Sequence, residues 1–516
     1  MIGSSASSFY ATVPTAASVV LPVIAPGSGQ QVDEVRSSTA AEVEQTVAAA
    51  RAAFETWSRT TWRHRRHWLK SWSQRLTDQA DVWIEDLIRL HGKPRVEAIG
   101  EVLTTLEAIR WTIDHGKSVL KPRRIPPGRQ RLMNIPTAEI VPNPLGVIGV
   151  WGTWNFPLYL NAPVIAQALA AGNAVVFKPS ELAAATGRRL AQSWEGLDHP
   201  AGLLGLIQGD AEVGRRLAEQ SLDKGVFTGG IVGGRAVLTA LAARGIPAVA
   251  ELSGYDPALI LPDADREFTL PGLVWGSFVN AGQTCIGIKR ILVVGTQTDA
   301  RQWCVALATA AARLRVGDPA GSQGGAVDVG PLISNSARQR FAGFLAAARE
   351  HGAIVHQGGR VLEERAGWFV APTVLEAGPD PDAVEQALAG CFGPLVLVRS
   401  HPTCEAAIDA INRGDYGLGA SVWGRDLKAA RLVAQRLRVG MVTINDVIAP
   451  TAHAGAPFGG VRASGYGRTH GADGLREFVH QKTLYVRPAR GWRPQVYPYH
   501  DRLTRLLRGL LRILHH

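Results

Sequence analysis

Apolar residues recur along the chain at spacings that predict helices near the N-terminus and alternating strands and helices after it. Residues 1–36 predict an irregular beginning with one or two short strands. Thr39 to Glu42 form a capping-box pattern, and apolar residues at helical spacing follow it. The sequence therefore predicts a helix directly after Thr39, and further helical stretches over about 63–92 and 94–118.

From residue 146 onward, apolar runs that suit buried strands alternate with stretches that suit helices. The first series has predicted strands at 146–151, 174–177, 204–208 and 225–228, with helices at 160–171, 183–194, 211–219 and 233–243. The stretch 248–254 ends this series. A second series runs from about 257 to 440, with strands at 258–261, 290–295 and 393–399. This alternation predicts two α/β domains with doubly wound parallel sheets, whose ligands bind beyond the carboxyl ends of the strands. The two domains would meet near residues 251–285.

The last segment has a different pattern. Between Asp501 and Leu514, leucines fall on one helical stripe and arginines lie mostly opposite them. A helix of this length is too short to span a bilayer, but it suits a membrane surface or a partner subunit. Peripheral membrane contact through 501–514 is therefore one expectation, and packing against the protein's own surface is the alternative.

Composition is that of a globular protein with two or three domains. The chain has 516 residues, of which 46% are hydrophobic and 19% are charged. Its four cysteines form no C-x-x-C pair and have no His partner at metal-ligand spacing, so neither a disulfide framework nor a metal site is predicted. No basic residue precedes the apolar run at 19–25, and no apolar run reaches the roughly 18 residues of a membrane span. We therefore expect a cytoplasmic location.

The net charge of +11 is confined to two segments. Lys121 to Arg131 contributes +5, and Thr483 to His516 contributes +6. The rest of the chain is close to neutral, which argues against a nucleic-acid-binding protein with a broad basic face.

The stretch from Phe278 to Arg290 contains the candidate nucleophile, Cys285. Its thiol lies between glycines just before a β-branched run, which is typical of a nucleophile displayed on a turn; a buried core cysteine is the alternative. Asn155, in a loop after a predicted strand, suits the donor that an oxyanion needs, and equally suits a turn. Glu251, at the end of another strand, suits a general base or a solvated carboxylate.

Two further features are candidates for nucleotide binding. Lys178 and Glu181 end a predicted strand at a place where ribose hydroxyls can bind, although a surface salt pair is the alternative. The glycine-rich stretch at 227–234 opens a predicted helix, so its backbone can approach a pyrophosphate.

From about residue 26 to 486, the chain resembles the aldehyde dehydrogenase superfamily. The resemblance rests on W-N-F-P at 154–157, A-G-N-A-V-V-F-K-P-S-E at 171–181, F-T-G-G at 227–230, E-L-S-G at 251–254, N-A-G-Q-T-C at 280–285, F-V-A-P-T-V-L at 369–375, F-G-P at 392–394 and P-F-G-G-V-R-A-S-G-Y-G-R at 457–468. Because so many motifs occur in order over nearly the whole chain, the match is specific.

The resemblance implies an aldehyde dehydrogenase-like α/β subunit with two doubly wound parallel-sheet domains and a bridging arm used in oligomerisation. It assigns residues 1–118 and 144–252 to a cofactor-binding domain, 253–482 to a catalytic domain, and 119–143 with 483–500 to the arm. Residues 501–516 then form a C-terminal amphipathic basic helix. A homodimer or homotetramer is the expected assembly.

Residue roles also follow from the resemblance. Cys285 would be the nucleophile, Asn155 and the Cys285 backbone N–H would form an oxyanion hole, and Glu251 would be the base for deacylation. In the family, the cysteine attacks an aldehyde, the hemithioacetal gives hydride to NAD(P)+, and water hydrolyses the thioester. Contacts with the cofactor, NAD or NADP, are expected from Trp154, Lys178, Ser180, Glu181, Phe227, Thr228, Gly229, Gly230, Gly233, Leu252 and Phe392.

Three positions depart from the family pattern. Gly390 stands where a glutamate usually holds the nicotinamide ribose, which removes charge-assisted hydrogen bonds of roughly 1.5–3 kcal/mol each. Gly230 replaces the serine common beside the pyrophosphate, and the usual E-L-G-G-K reads E-L-S-G-Y, ending at Tyr255. We expect a working enzyme that holds the nicotinamide end differently.

The reaction that the resemblance implies is oxidation of an aldehyde to the carboxylic acid. The segment at 497–503 is similar to the C-terminal ends of fatty aldehyde dehydrogenases, which favours an apolar or long-chain substrate. Candidates for an aromatic lining of a substrate tunnel are Trp151, Trp154, Phe156, Tyr159 and Phe458, and ordinary core packing is the alternative for each of them. Two alternatives stay open: a catalytically weakened protein with a binding or structural role, favoured by Gly390, and a coenzyme A-acylating relative, disfavoured by Glu251.

Overall fold

The computed structural model describes residues 19–133, 135–197, 199–321, 327–487, 489, 493 and 496–515. Residues 1–18 of the predicted cofactor-binding domain, positions 134, 488, 490–492, 494 and 495 of the predicted arm, and residue 516 lie outside these ranges. None of the helices within the described ranges combines the length and apolar content that a membrane crossing requires.

The N-terminal part begins with an antiparallel ribbon and continues with helices. Its elements are β1 (Val20–Ala25), β2 (Gln30–Arg36), α1 (Ala40–Trp57), α2 (Trp62–Asp78), α3 (Ala80–His91) and α4 (Arg95–Val119). The Thr39 hydroxyl accepts from the Glu42 backbone N–H, and the Glu42 carboxylate accepts from the Thr39 N–H, so the predicted capping box is confirmed. The predicted helical stretch at 63–92 is interrupted at Gln79, which leaves the helical conformation.

The first alternating series follows. Its elements are β3 (Arg123–Ile125), β4 (Ala138–Pro144), β5 (Val147–Trp151), α5 (Ala162–Ala170), β6 (Ala174–Lys178), α6 (Ala184–Gln192), β7 (Leu204–Leu206), α7 (Ala211–Ala218), β8 (Lys224–Thr228), α8 (Ile231–Ala243) and β9 (Ala248–Glu251). Every residue of β5 and β6 is buried, because helices cover both faces of a parallel sheet. These strands therefore appear in the sequence as continuous apolar runs.

The second series and the C-terminal elements complete the fold. They are β10 (Asp256–Ile260), α9 (Arg266–Phe278), β11 (Ile288–Val294), α10 (Gln297–Ala311), α11 (Asn335–Glu350), β12 (Ile354–Gln357), β13 (Thr373–Glu376), α12 (Pro381–Leu388), β14 (Leu395–His401), α13 (Cys404–Arg413), β15 (Gly419–Trp423), α14 (Leu427–Arg436), β16 (Met441–Ile444), β17 (Gly465–Tyr466), α15 (Gly471–Arg476), β18 (Val479–Tyr485) and α16 (Asp501–His515). The apolar pattern did not separate β12, β13, β15 and β16, because they are short and some contain Gly, Ser or Thr.

Two large sheets confirm the predicted α/β class, and each has an antiparallel edge that the pattern did not predict. The first has the order β17-β9-β8-β5-β6-β7, in which only β17 is antiparallel to its neighbour. The second has the order β12-β13-β14-β11-β10-β15-β16, in which β12 is antiparallel. The edge strand β17 brings the motif at 457–468 beside Glu251, since Gly465 pairs with it.

A third sheet contains strands from both segments that the resemblance assigns to the bridging arm. Its order is β18-β4-β3, and both pairings are antiparallel. The terminal helix α16 follows this sheet in the chain. Leu506, Leu507, Leu511 and Ile513 of α16 are exposed, so its apolar stripe lies open to solvent in the single subunit.

Candidate active site

A cavity of about 250 Å³ lies between the carboxyl ends of β5, β8 and β9 and the loops that precede β11 and β14. Its lining comprises Thr153, Trp154, Asn155, Leu160, Thr228, Gly229, Gly230, Glu251, Leu252, Ser253, Cys285, Arg340, Gly390 and Phe392. The first sheet therefore uses the carboxyl ends of its strands, as expected for a doubly wound fold. The second sheet contributes loops at the amino ends of its strands instead.

Cys285 lies on a loop whose backbone is unusual. Asn280 and Ala281 have left-handed φ values of 55° and 52°, and a side chain on Gly282 (φ 68°) would collide with the backbone of Gly393. Cys285 itself is half-buried and packs beside an apolar cluster of Ile286, Leu418 and Phe458.

The Cys285 thiol lies in an environment that disfavours its charged form. Burial raises the pKa of the thiol well above its ordinary value, and the nearby carboxyl groups of Glu251 and Asp256 raise it further. The thiol is therefore protonated at neutral pH, and its attack on a carbonyl requires a proton acceptor.

The side chain of Asn155 is buried and held by hydrogen bonds at both ends. Its Oδ1 accepts from the Thr153 hydroxyl (3.0 Å), and its Nδ2 donates to the Gln283 carbonyl (3.1 Å). The amide is thus turned with its NH₂ group toward the Cys285 loop. Because an amide nitrogen has two hydrogens, the second remains for an oxyanion at Cys285.

Glu251 ends β9 and is buried between two neighbouring strands. Within the described residues, its Oε1 atom has no hydrogen-bond partner. Burial raises the pKa of Glu251 to about 8, although the charge of Arg468 and the Gly460 backbone N–H oppose the rise. A carboxylate with such a pKa is a much stronger base than an ordinary surface glutamate.

Several predicted cofactor residues line the same cavity. Trp154 and Phe392 pack edge to face with ring centroids 5.6 Å apart, beside Thr228, Gly229 and Leu252. At Gly230 the helix α8 begins without a side-chain cap, and a Cβ built on Gly230 would meet no atom within 4 Å. The open N–H groups of this helix start fit the pyrophosphate of NAD(P). The Phe227 ring supports the glycines from below, at 3.0 Å from a Cβ built on Gly229 and 3.5 Å from one built on Gly233.

Lys178, Ser180 and Glu181 lie at the end of β6 and do not line the cavity. Lys178 is buried, and its Nζ donates to the Pro179 carbonyl at 3.1 Å, which leaves further N–H donors. Burial lowers the pKa of Lys178, while Glu181 and Asp210 oppose the change. The exposed Glu181 carboxylate and this ammonium fit the two hydroxyls of a ribose.

The three departures from the family pattern have different surroundings. Gly390 lines the cavity with φ 89°, and a Cβ built there would lie 3.4 Å from the Tyr416 hydroxyl. The exposed side chain of Arg340, which sequence reasoning missed, lies in the same lining. Tyr255 instead is buried in the second domain, where its ring lies 5.3 Å from the Arg290 guanidinium carbon. Ser253, the other change in that motif, lines the cavity, so positions 390, 230 and 253 affect the cavity and position 255 does not.

The candidate aromatic residues divide between the cavity lining and the protein core. Trp151 is buried in the core of the first sheet, where its Nε1 donates to the Gly214 carbonyl at 2.9 Å, so it does not reach the cavity. Trp154 lines the cavity, and Phe458 belongs to the apolar cluster beside Cys285. Tyr159 and Phe458 both pack against the buried ring of His470.

Charged residues that sequence reasoning missed support the site from behind. Lys289 is buried, and its Nζ donates to the carbonyls of Gly282 and Gly393 (3.5 Å for the latter), so it joins the Cys285 loop to the loop before β14. Burial lowers the pKa of Lys289 to about 8.

Glu97 and Glu101 of α4 contact the same region. The sequence contained one signal for these two glutamates. They are four residues apart and lie beside the buried Ala98 and Val102, so both carboxylates fall on the inner face of a helix.

One group of potential metal ligands lies elsewhere, among Cys304, His356 and Glu376. The Glu376 carboxylate already accepts from Gln297 Nε2 (2.7 Å) and Arg301 Nη2 (3.2 Å), and His356 Nε2 lies 2.7 Å from it. Its charge is therefore compensated within the protein, as in an ordinary buried ion-pair network.

Comparison with known proteins gives a consistent result. A sequence model described as "Aldehyde dehydrogenase family" matches residues 13–484. A 4,4'-diapolycopene aldehyde oxidase of Methylomonas sp is 33% identical over 484 residues, which cover 93% of this chain and 88% of that protein. The chloroplastic betaine aldehyde dehydrogenase of Atriplex hortensis is 28% identical, with 90% and 92% covered. The crystal structure of a Mycobacterium tuberculosis aldehyde dehydrogenase complexed with NAD+ superposes with a TM-score of 0.86 at 30% identity, over 92% of this chain and 96% of that one.

Proposed function

Because this chain belongs to the aldehyde dehydrogenase family and is an NAD(P)-dependent member of it, we propose that it oxidises an apolar, long-chain aldehyde to the carboxylic acid through a thioester on Cys285. The observation behind the proposal is the meeting of Cys285, Asn155 and Glu251 around one cavity, beside an open helix start that suits a pyrophosphate. Each of these residues has a distinct task in the reaction.

The first step is attack of the Cys285 sulfur on the aldehyde carbonyl carbon. A C–S bond forms, the carbonyl π electrons move to oxygen, and the thiol proton passes to a base. Glu251 suits that base, since its charge already influences the thiol and its own pKa is about 8. The second Nδ2 hydrogen of Asn155 and the Cys285 backbone N–H donate to the oxyanion.

Oxidation and release follow at the same carbon. Bound NAD(P)+ would supply the hydride acceptor for this carbon, which leaves a thioester on Cys285. Glu251 first releases the thiol proton to solvent and then takes a proton from water. The hydroxide attacks the thioester carbon, the C–S bond breaks, and the acid leaves while the sulfur regains a proton from Glu251. We assign the pyrophosphate to the start of α8 at Gly230, the adenine ribose to Lys178 and Glu181, and the nicotinamide end to Arg340 and the Tyr416 hydroxyl in place of the carboxylate missing at Gly390.

An apolar substrate suits the surroundings of the nucleophile. Ile286, Leu418 and Phe458 pack beside Cys285, with Met441 and Ile448 partly buried against them. Binding of a hydrocarbon chain against these side chains is favourable, because it removes apolar surface from water. The name of the Methylomonas relative, a diapolycopene aldehyde oxidase, also refers to a hydrocarbon aldehyde.

A chain-length series tests the substrate class. The substrates are saturated aldehydes of about two to twelve carbons, with NAD or NADP as the cofactor, and absorbance at 340 nm follows the reaction. We expect kcat/KM to rise by up to about fourfold for each added methylene, until the chain covers the apolar side chains beside Cys285. Betaine aldehyde is the matched charged control, and we expect it to be a poor substrate. A preference for betaine aldehyde over decanal would contradict the apolar assignment. Absence of NAD(P)H formation with every aldehyde, while Cys285 remains open to alkylation, would instead indicate a catalytically weakened protein.

The terminal helix α16 supports a second proposal, that the protein, as a homodimer or homotetramer, binds anionic membranes peripherally. Its exposed leucines and its arginines lie on different faces, which suits insertion at the headgroup boundary. We expect the full chain to float with vesicles that contain phosphatidylserine, and a variant ending at Arg490 to remain in the aqueous fraction. Leu511→Asp, which alters only the exposed stripe, should reduce flotation several-fold. Equal recovery of all three proteins in the lipid fraction would refute the membrane contact.

A further inference from the structure

The start of α4 lies against both loops of the active site, and three charged side chains make the contact. Lys93 and Glu101 form an ion pair with 3.0 Å between Nζ and Oε2, and both side chains are fully buried. Glu97 lies one helical turn before Glu101. Charged groups are rarely buried unless they are paired or hold other polar groups, so this cluster calls for a specific explanation.

Glu101 and Lys93 hold the loop that contains Asn155. The Glu101 Oε1 atom accepts from the backbone N–H groups of Leu158 (2.8 Å) and Tyr159 (3.3 Å). The Lys93 ammonium lies 3.8 Å from the centroid of the Phe156 ring. The residues directly after Asn155 are therefore fixed by α4.

Glu97 holds the loop that contains Cys285. Its Oε2 atom accepts from the Asn280 backbone N–H at 2.9 Å. Asn280 has the left-handed φ of 55°, a conformation that a non-glycine residue keeps only when its surroundings stabilise it. The Asn280 side chain in turn donates to the carbonyls of Asn155 (3.0 Å) and Gln283 (3.1 Å).

One residue, Asn280, thus links the two loops that form the oxyanion hole. The Asn155 amide donates to the same Gln283 carbonyl, which lies two residues before Cys285. Displacement of Asn280 would therefore move the oxyanion donor and the nucleophile relative to each other. Within the described residues, the backbone N–H of Asn280 donates to one side chain, that of Glu97.

We propose that Glu97 is a positioning residue for aldehyde oxidation, whose carboxylate holds Asn280 so that Asn155 and Cys285 keep their relative placement. This inference rests on the proposed function, because it assigns Glu97 a role in the same reaction. Burial raises the pKa of Glu97 to about 7, with Lys93 opposing and Glu101 adding to the rise. Both the ionised and the neutral carboxyl present an acceptor oxygen to the Asn280 N–H, so the contact itself does not require the charge.

Four variants test this role at pH 8. Glu97→Ala removes the acceptor, Glu97→Asp keeps the charge but shortens the reach, and Glu97→Gln keeps an acceptor oxygen at the same place. Glu107→Ala is the matched control, since Glu107 is an exposed residue on the same helix. The readouts are kcat with decanal, the dissociation constant of the cofactor, Tm, and the rate at which iodoacetamide alkylates Cys285, followed on its own peptide by mass spectrometry.

We expect Glu97→Ala and Glu97→Asp to lower kcat at least tenfold with little change in cofactor affinity, and to speed alkylation of Cys285 at least threefold because its loop is less restrained. Glu97→Gln should stay within about threefold of the wild type in both rates, and Glu107→Ala should equal it. If Glu97 only stabilised the fold, its variants would lower Tm, and Glu97→Gln would not restore kcat and the alkylation rate while Glu97→Asp did not. If Glu97→Ala fails to fold, the kcat and alkylation rate of Glu97→Asp decide whether Glu97 is a positioning residue.

Wild-type kcat and alkylation rates in Glu97→Ala and Glu97→Asp would overturn the inference, as would equal losses in Glu97→Gln and Glu97→Ala. These outcomes are distinct from failure of the proposed function. If the wild type itself forms no NAD(P)H with any aldehyde, the function is refuted, and the alkylation rates of Cys285 still decide whether Glu97 holds the loop.

Discussion

Replacing Cys285 with alanine abolishes aldehyde oxidation, with an expected fall in kcat of about four orders of magnitude or more, while the cofactor still binds. In the proposed mechanism, the sulfur forms the covalent bond to the substrate on which the reaction depends. Neither Asn155 nor Glu251 replaces it, because the Asn155 amide serves as a hydrogen-bond donor and the proposed mechanism uses Glu251 to take protons. Stopped-flow absorbance at 340 nm measures the loss, and tryptophan fluorescence quenching measures cofactor affinity.

Cys404→Ala is the matched control for this prediction. Cys404 is also free and half-buried, but it begins α13 and does not line the cavity. We expect this variant to keep the wild-type kcat. Turnover by Cys285→Ala above about 1% of the wild-type rate would mean that another group is the nucleophile.

Glu251→Gln slows steady-state turnover by about 10²- to 10⁴-fold, the usual contribution of a general base. The amide is nearly isosteric with the carboxyl but cannot take a proton from water. If thioester hydrolysis is the step most affected, a burst of up to one NAD(P)H per subunit precedes the slow phase. Rapid-quench measurement of the burst and mass spectrometry of the acylated Cys285 peptide check this result.

The control is Glu267→Gln, which changes an exposed glutamate on α9 in the same way. It should behave as the wild type does. A Glu251→Gln variant with wild-type turnover would show that a different group activates the water. Loss of both the burst and the steady-state rate would show that attack by the thiol, for which Glu251 is also the proposed base, is the step most affected.

The dependence of kcat on pH provides a second test of the role of Glu251. The pKa of Glu251 in the folded protein is about 8, above its ordinary value of 4.5, so the base is ionised only as the pH rises through 8. We expect kcat in the wild type to rise over this range. The corresponding limb should be absent from the residual activity of Glu251→Gln.

Stability depends on pH in the opposite direction. An acid whose folded pKa is raised favours the folded state in its neutral form, and this contribution is lost as the pH increases from 4.5 to about 8. Relative to the wild type, Glu251→Gln should therefore gain stability between these pH values. The difference in Tm between pH 5 and pH 9 measures the gain.

Gly390 shows which groups surround a position that departs from the family pattern. Its φ of 89° suits glycine, and no Cβ contact closer than the Tyr416 hydroxyl would restrict the space beside it. Arg340 lines the same space from α11, some fifty residues earlier in the chain. The sequence alone showed only that a carboxylate was missing. It gave no indication of which groups from other elements lie around the gap.

The helices and strands that the sequence predicted best are those whose residue pattern follows from burial or from local hydrogen bonds. The continuous apolar runs of β5 and β6 and the capping box at Thr39 follow from local physical chemistry, so they are legible without a structure. The edge strands β12 and β17 were not predicted, because their pairing depends on residues far away in the chain. β17 is only two residues long and exists through its pairing with β9.

The candidate site divides in the same way. Motif resemblance was sufficient to nominate Cys285, Asn155 and Glu251, because their chemistry requires particular residue types within recognisable local patterns. Tertiary structure alone placed Glu97 within 2.9 Å of the Asn280 backbone N–H, although 183 residues separate them in the chain. It also decided the pKa of Glu251, since burial between strands, and not the residue type, raises it. Hydrogen bonds and desolvation depend on distance in space, which the order of residues does not specify.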